Sequence, residues 1–274
     1  MIHKKFDLKD YYPFLAELGS VATLEVFVQD YPVEMGEPVP KAGVVICPGS
    51  GYFKCCSREA EPVAHKLMAM NFNAFVLTYS CDPVRHPVQL LEAAAVYDLI
   101  DKNQVEWNTD ITKVAIMGFS AGGHLAAHYS NRYNCDEIKA YFDKMHKPHS
   151  SVLCYPVISA DPKIWHEGSF FYLLGHKPDE AETEAFSCDK MVSNDTPPAF
   201  IWHTVEDVTV PVQNSLRYAE ALANFKIPHT LHIYPYGHHG LSTIDEMSNT
   251  NLPHNFTYGS DWIKQFEKWA KLMF

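Results

Sequence analysis

A serine with glycines two residues before and two residues after it, in Gly118-Phe119-Ser120-Ala121-Gly122-Gly123-His124, is the part of this chain best suited to covalent chemistry. A strand at 113–117 leads into the motif and a helical pattern leaves it at once, so the serine falls on a sharp strand-to-helix turn, a nucleophile elbow. Such a turn strains the serine backbone. It also brings the positions two residues away too close for a β-carbon, a demand that Gly118 and Gly122 meet. A glycine-rich turn with an idle serine is the plainer reading of the bare motif, and the placement between strand and helix favours the nucleophile.

A hydroxyl attacks an ester at neutral pH only if a histidine takes its proton and a carboxylate holds that histidine. Behind an elbow of this kind the acid precedes the base in the chain. Both belong on loops at the carboxyl ends of late strands, where the elbow lies. The run 199–202 is followed by His203-Thr204-Val205-Glu206-Asp207-Val208-Thr209-Val210-Pro211, which offers two adjacent carboxylates. Asp207 is the better placed, three residues before the Val-Pro pair that opens the next helix, and Glu206 is the alternative. After the run 231–234, Gly237-His238-His239-Gly240 offers two histidines. His239, directly before a glycine, can reach back over the sheet edge, and His238 is the alternative. For His124 and His203 a hydrogen-bonded structural role is the default. No His-Glu-x-x-His arrangement is present, and neither a catalytic metal nor any cofactor is expected.

The oxyanion of a tetrahedral intermediate needs donors, normally backbone N–H groups. Ala121, directly after the serine, supplies one at the start of a helix. Ser50 and Gly51, in the loop Pro48-Gly49-Ser50-Gly51-Tyr52 after the run 43–47, supply others. Tyr52 and Phe53 are expected to bind substrate, with Trp165, Phe170, Phe171 and Tyr172 available to form the same pocket.

These loops need a frame. Continuous apolar runs at 43–47, 74–77, 114–117, 152–154 and 199–202 read as strands buried on both faces, with an alternating strand at 22–28 and a last strand at 231–234. Helical patterns at 61–70, 88–102, 121–133 and 212–225 alternate with them, and an amphipathic helix at 258–272 closes the chain. The alternation predicts a single wound α/β domain over 1–274, a mostly parallel sheet with helices on both faces. The polar first segment suggests no element, 31–40 reads as a loop, and 156–196 loses its period and reads as a small insertion covering a pocket.

With Lys+Arg 22 against Asp+Glu 33, the net charge of -11 disfavours a nucleic-acid or anionic-membrane partner. The N-terminus turns polar before any signal-peptide core appears. Seven cysteines, an odd count without metal-ligand spacing, read as free thiols. Together these features suggest the cytoplasm, and a homo-oligomer stays open.

Pro48-Gly49-Ser50-Gly51-Tyr52, Arg58-Glu59-Ala60-Glu61-Pro62-Val63-Ala64, Gly118 to Ala126, Tyr155-Pro156-Val157-Ile158 and the segment 195–215 resemble bacterial acetyl-xylan-esterase-like α/β hydrolases. The resemblance covers most of the chain and implies an α/β-hydrolase fold, with Ser120, Asp207 and His239 as the triad. It departs at Ser50, where a third glycine is usual, and at His238, where proline or a small residue is commoner. It further implies removal of acetyl or other short acyl groups from sugars, whereas the residues alone reach only ester or amide hydrolysis. A small-molecule ester, such as an acylated sugar, is the expected substrate.

A peptidase of the prolyl-oligopeptidase type shares the elbow and triad order, but no propeller domain precedes the catalytic residues here. A hydrolase-like binding protein that turns nothing over is the third reading. A histidine base of ordinary pKa takes up its proton near pH 6.5, so ester hydrolysis should fall as the pH drops below about that value. A pH–rate profile that stays flat from about pH 5 to 8 would remove histidine from the mechanism.

Overall fold

The computed structural model describes residues 1–32, 34 and 36–274. Val33 and Met35, inside the loop expected at 31–40, lie outside the described residues. Eight strands form one sheet: β1 (Ile2–Asp7), β2 (Thr23–Val28), β3 (Lys41–Cys47), β4 (Asn73–Thr78), β5 (Thr109–Phe119), β6 (Ser151–Cys154), β7 (Ala199–Thr204) and β8 (His229–Tyr234). Their order is β1-β2-β4-β3-β5-β6-β7-β8. β1 and β2 run antiparallel to their neighbours, and from β4 to β8 every pairing is parallel.

The central runs are apolar throughout because both faces are covered. Val45, Val114, Ile116, Leu153 and Ile201 point to one side, where the helices Val88–Lys102, Ala121–Arg132 and Gln213–Asn224 pack. Val44, Ile46, Ala115, Met117, Phe200 and Trp202 point to the other, against Glu61–Ala69 and Trp262–Met273. Trp262, Phe266 and Trp269 of the closing helix are buried there. Burying such aromatics contributes roughly 1.5–3 kcal/mol each by area, so that helix is fastened by its apolar face.

Three elements differ from the sequence reading. The first segment forms β1, an edge strand in which only Ile2 and Phe6 are half-buried, while His3, Lys4 and Lys5 face solvent. A strand open to water on an edge needs no apolar run, and charge there blocks further pairing. The insertion holds three short helices, Glu167–Leu174, Glu180–Phe186 and Cys188–Met191. Asp179 and Glu182 form a reciprocal capping box at the start of the second of these, a D-x-x-E signal present in the sequence. The closing segment begins as a 3-10 turn at His254–Asp261 before the helix proper.

Chain connectivity decides where a ligand can sit. The crossover from β3 leads to β4 on one side, and the next strand, β5, lies on the other side of β3. The crevice between the carboxyl ends of β3 and β5 is therefore the topological switch point, where ligands of wound sheets bind. The loops at 48–56 and at Ser120 flank that crevice.

One buried carboxyl braces this edge from behind. Glu92, fully buried on the helix Val88–Lys102, accepts hydrogen bonds from Ser20 Oγ at 2.6 Å, from the Ser80 N–H at 2.8 Å and from Ser80 Oγ. Burial outweighs these bonds and pushes its carboxyl up to about 7. In the unfolded chain it ionises near the ordinary carboxylate value, so its contribution to stability is full below about pH 4.5 and is lost as pH rises through about 7. Denaturant titrations at pH 5 and pH 8 should show the wild-type chain losing on the order of 3 kcal/mol more over that interval than Glu92→Gln. Equal losses would show that Glu92 does not titrate in this way.

Candidate active site

The strand β5 passes into the helix Ala121–Arg132 through Ser120, whose φ of 53° and ψ of −119° are strained for any side chain. The turn closes only because its flanks are bare. A β-carbon on Gly118 would overlap the Gly122 carbonyl, and one on Gly122 would overlap the Cys47 carbonyl at the end of β3. The Ser120 N–H donates to the Cys154 carbonyl at 3.0 Å and its carbonyl accepts from Val157 N–H at 3.0 Å, which pins the turn against β6.

Three side chains meet at this point. His239 Nε2 lies 2.7 Å from Ser120 Oγ, and His239 Nδ1 lies 2.6 Å from Asp207 Oδ2. A carboxylate only accepts, so Nδ1 carries the proton and the Nε2 lone pair faces the serine hydroxyl. Asp207 is buried on the loop after β7. Its Oδ1 accepts from the N–H groups of Thr209 at 3.0 Å and Val210 at 2.9 Å. His203, at the end of β7, donates from Nε2 to the Val210 carbonyl at 2.9 Å and to Asp207 Oδ2 at 3.2 Å, while its Nδ1 accepts from Ser215 Oγ at 2.8 Å. Burial by itself would raise the Asp207 carboxyl, but the bonds from His203, His239 and Val210 outweigh it and hold the group well below the usual carboxylate range.

The two alternatives to these residues turn elsewhere. Glu206 is exposed and accepts from the Gly237 N–H at 3.0 Å. His238 is exposed, with its ring beside Phe256. Adjacent positions on one loop face opposite ways, which is why sequence alone left both pairs open.

The loop 48–53 crosses in front of the serine. A β-carbon on Gly49 would sit 2.8 Å from Ser120 Cβ and 2.7 Å from the Phe119 carbonyl, so no larger residue fits between loop and elbow. Ser50, Gly51 and Tyr52 follow with φ of 110°, 68° and 60°. Among the described residues, the N–H groups of Ser50, Gly51 and Ala121 have no backbone acceptor, which leaves them free to receive a developing oxyanion.

Beside them lies a cavity of about 280 Å³ lined by Ser50, Gly51, Phe53, Ser120, His166, Tyr172, Thr209 and His239. A larger surface cavity, about 570 Å³, is lined by Lys41, Phe72, Lys113 and Phe274 and contains none of these groups. The smaller one is the candidate site because the chemistry converges there. Phe53 and Tyr172 form one wall, their ring centroids 5.2 Å apart. His166 and Thr209 supply polar groups. His166 caps the helix Glu167–Leu174: its Nδ1 accepts from the Ser169 N–H at 3.2 Å, so its proton sits on Nε2. Burial, with His239 adding to it, pushes the His166 imidazole down, which keeps it neutral.

The expectation for Tyr52 is corrected. Its positive φ turns the ring inward, where it is buried and donates its O–H to His124 Nδ1 at 2.9 Å; His124 Nε2 in turn donates to the Phe186 carbonyl at 2.9 Å. Tyr52 thus props the loop 48–53 from beneath and lines no part of the cavity. Of the insertion aromatics, Tyr172 lines it. Phe170 is buried with Val157, Ala160 and Val210, Trp165 packs against that cluster, and Phe171 faces outward. Sequence reading missed His166 and Thr209. A His-x-x-Ser helix start was visible for the first, and nothing local marked the second.

The wound sheet and its switch-point site define an α/β hydrolase. The chain is 36% identical to an acetyl ester-xyloside bifunctional hydrolase from Caldicellulosiruptor lactoaceticus, with a TM-score of 0.79 over 92% of this chain and 88% of that structure. It is 30% identical over 202 residues to an acetylxylan esterase of Xylanibacter ruminicola and 35% identical over 243 residues to endo-1,4-beta-xylanase B of Butyrivibrio fibrisolvens. These matches cover 72% and 86% of this chain, which spans only 40% and 37% of the two relatives' lengths. The BD-FAE family model matches residues 31–222, and the chain belongs to that family. The resemblance to acetyl-xylan-esterase-like α/β hydrolases is borne out. Among the described residues no helix is long and apolar enough to cross a membrane.

Asp207→Asn should lower kcat on p-nitrophenyl acetate at least about a hundredfold by presenting the wrong hydrogen-bond pattern to His239. Glu206→Gln should stay within about threefold of wild type, since it alters one part-buried hydrogen bond of an exposed side chain. The reverse ranking would exchange the two carboxylates.

Proposed function

We propose that this protein is a serine esterase that removes short acyl groups, acetyl foremost, from sugars or other small molecules through Ser120, Asp207 and His239. The observation that carries the reading is the continuous line from Asp207 Oδ2 to His239 to Ser120 Oγ, with contacts of 2.6 and 2.7 Å. His239 takes the serine proton as Oγ attacks the carbonyl carbon, and the N–H groups of Ser50, Gly51 and Ala121 receive the charge on the carbonyl oxygen. The alcohol leaves with the proton from His239. Water then repeats the attack on the acyl-enzyme, and Asp207 holds the imidazole in one tautomer throughout.

Size supports a short acyl chain. A cavity of about 280 Å³ falls just below the roughly 300–1,000 Å³ found for drug-sized ligands. The facing of Phe53 and Tyr172 against His166 and Thr209 suits a sugar, whose C–H face packs on aromatics while its hydroxyls seek polar groups. Acetyl esters are also named for the Caldicellulosiruptor and Xylanibacter relatives.

A series of p-nitrophenyl esters and acetylated sugars should show kcat/KM greatest at acetyl and falling with chain length. Ser120→Ala should lower kcat at least about a thousandfold, and a loss under about tenfold would mean another nucleophile. Covalent labelling by a fluorophosphonate separates an esterase from an idle binding protein, whose serine would stay unlabelled. An aminoacyl-nitroanilide separates an esterase from a peptidase.

A further inference from the structure

Behind the oxyanion loop lies a carboxylate that the cycle above does not use. Glu59, at the end of the 3-10 turn Ser57–Glu59, is 3% exposed. Its Oε2 accepts from the Gly49 N–H at 2.7 Å and its Oε1 accepts from the Tyr155 O–H at 2.7 Å. Its hydrogen-bond partners are thus an amide and a phenol, not a cation. Burial pushes its carboxyl up, while the bonds from Tyr155 and Gly49 and the nearby His239 and Arg58 pull the other way; a buried carboxylate held by neutral donors is costly, so a fold that keeps one needs a use for it.

Each contact leads to a different catalytic loop. Gly49 is squeezed between Glu59 and the elbow: a β-carbon there would sit 2.8 Å from Glu59 Oε2 and 2.8 Å from Ser120 Cβ. Tyr155, on the loop after β6, has φ of 37° and sets its ring edge-to-face on His239, with centroids 5.1 Å apart. Its hydroxyl oxygen accepts from the Ser242 N–H at 2.8 Å, three residues beyond His239. Ser242, at φ 52°, donates from Oγ to the Arg58 carbonyl at 2.7 Å, which closes the ring back onto the turn that carries Glu59.

We infer that Glu59 is a positioning residue for the proposed reaction: its ionised carboxylate fastens the oxyanion loop at Gly49 and, through Tyr155, the loop of His239, and it sets a second negative charge behind that imidazole. The inference rests on the proposed serine-esterase function. A carboxylate only accepts, so it dictates that both Gly49 N–H and Tyr155 O–H point at it; an amide would present a donor to one of them. As His239 gains the serine proton it becomes a cation in a water-poor site, where a nearby fixed negative charge counts for more than it would in water. The charged or titratable groups facing Glu59 are His239 from the loop after β8, Arg58 beside it, and Tyr155 and Cys154 at the end of β6. Asp207 faces His239 from its far side.

The test compares variants on p-nitrophenyl acetate across pH. Glu59→Gln should lower kcat about tenfold or more, with KM within about threefold. The acidic limb of kcat/KM should move to lower pH, because the imidazolium has lost a stabilising charge. Tyr155→Phe, which keeps the carboxylate, should lower kcat and leave that limb in place. A Glu59→Gln enzyme with kcat within about twofold of wild type, or one with lower kcat and an unmoved limb, overturns the inference. If Glu59→Gln does not fold, Glu59→Asp takes its place. With the charge kept and its reach to Gly49 shortened, Glu59→Asp should lose kcat with an unmoved limb, and wild-type kcat would overturn the inference. Failure of the wider reading is distinguishable, since it would show as activity surviving in Ser120→Ala.

Discussion

The backbone of Ser120 is held where a non-glycine residue is uncomfortable, and the rest of the site depends on that constraint. Conformations of this kind persist only when their surroundings over-determine them. Here the surroundings are specific. Gly118, Gly122 and Gly49 let β3, β5 and the helix Ala121–Arg132 approach closer than any side chain would allow. Bonds from Ser120 N–H to Cys154 and from Val157 N–H to the Ser120 carbonyl hold the turn from the other side. The hydroxyl is lifted to the point where the loops after β3, β7 and β8 can reach it. A relaxed turn would return the serine to the surface of the sheet, out of range of His239.

Charge around this turn is arranged in layers. Asp207 is kept ionised by four donors, of which the imidazole of His239 is one. His203, itself fixed by Ser215, braces Asp207 and the Val210 carbonyl, while His124 and His166 are kept neutral by burial and serve as hydrogen-bonding parts. Four histidines thus lie in or around one crevice, and geometry assigns one of them to the serine. A ring is fitted to proton transfer by what its second nitrogen holds.

What could be read in the sequence followed from how local each signal is. Runs such as 43–47 and 114–117 announce doubly covered strands because burial on both faces leaves no polar position. The elbow announces itself because steric overlap dictates glycine at fixed offsets. β1 stayed hidden: an edge strand with one side in water carries charge where a central strand carries valine. The choices between Asp207 and Glu206, and between His239 and His238, turn on which of two neighbouring side chains rotates inward, a property of the whole loop. Tyr52 was misplaced for the same reason, since three successive positive φ values reverse the direction its sequence position suggests. Thr209 lines the cavity without any local mark, because a wall is made by whatever the tertiary fold brings alongside.

The cavity draws on two sources. Ser120, Thr209 and His239 come from the sheet edge, whereas His166 and Tyr172 come from the excursion between β6 and β7. That excursion packs against the sheet edge through Phe170 beside Val210, and the bond from His124 to the Phe186 carbonyl ties it to the helix behind the elbow. Rewriting that short stretch of polypeptide therefore reshapes one wall of the cavity, while Ser120 and Asp207 keep their own supports from the sheet edge.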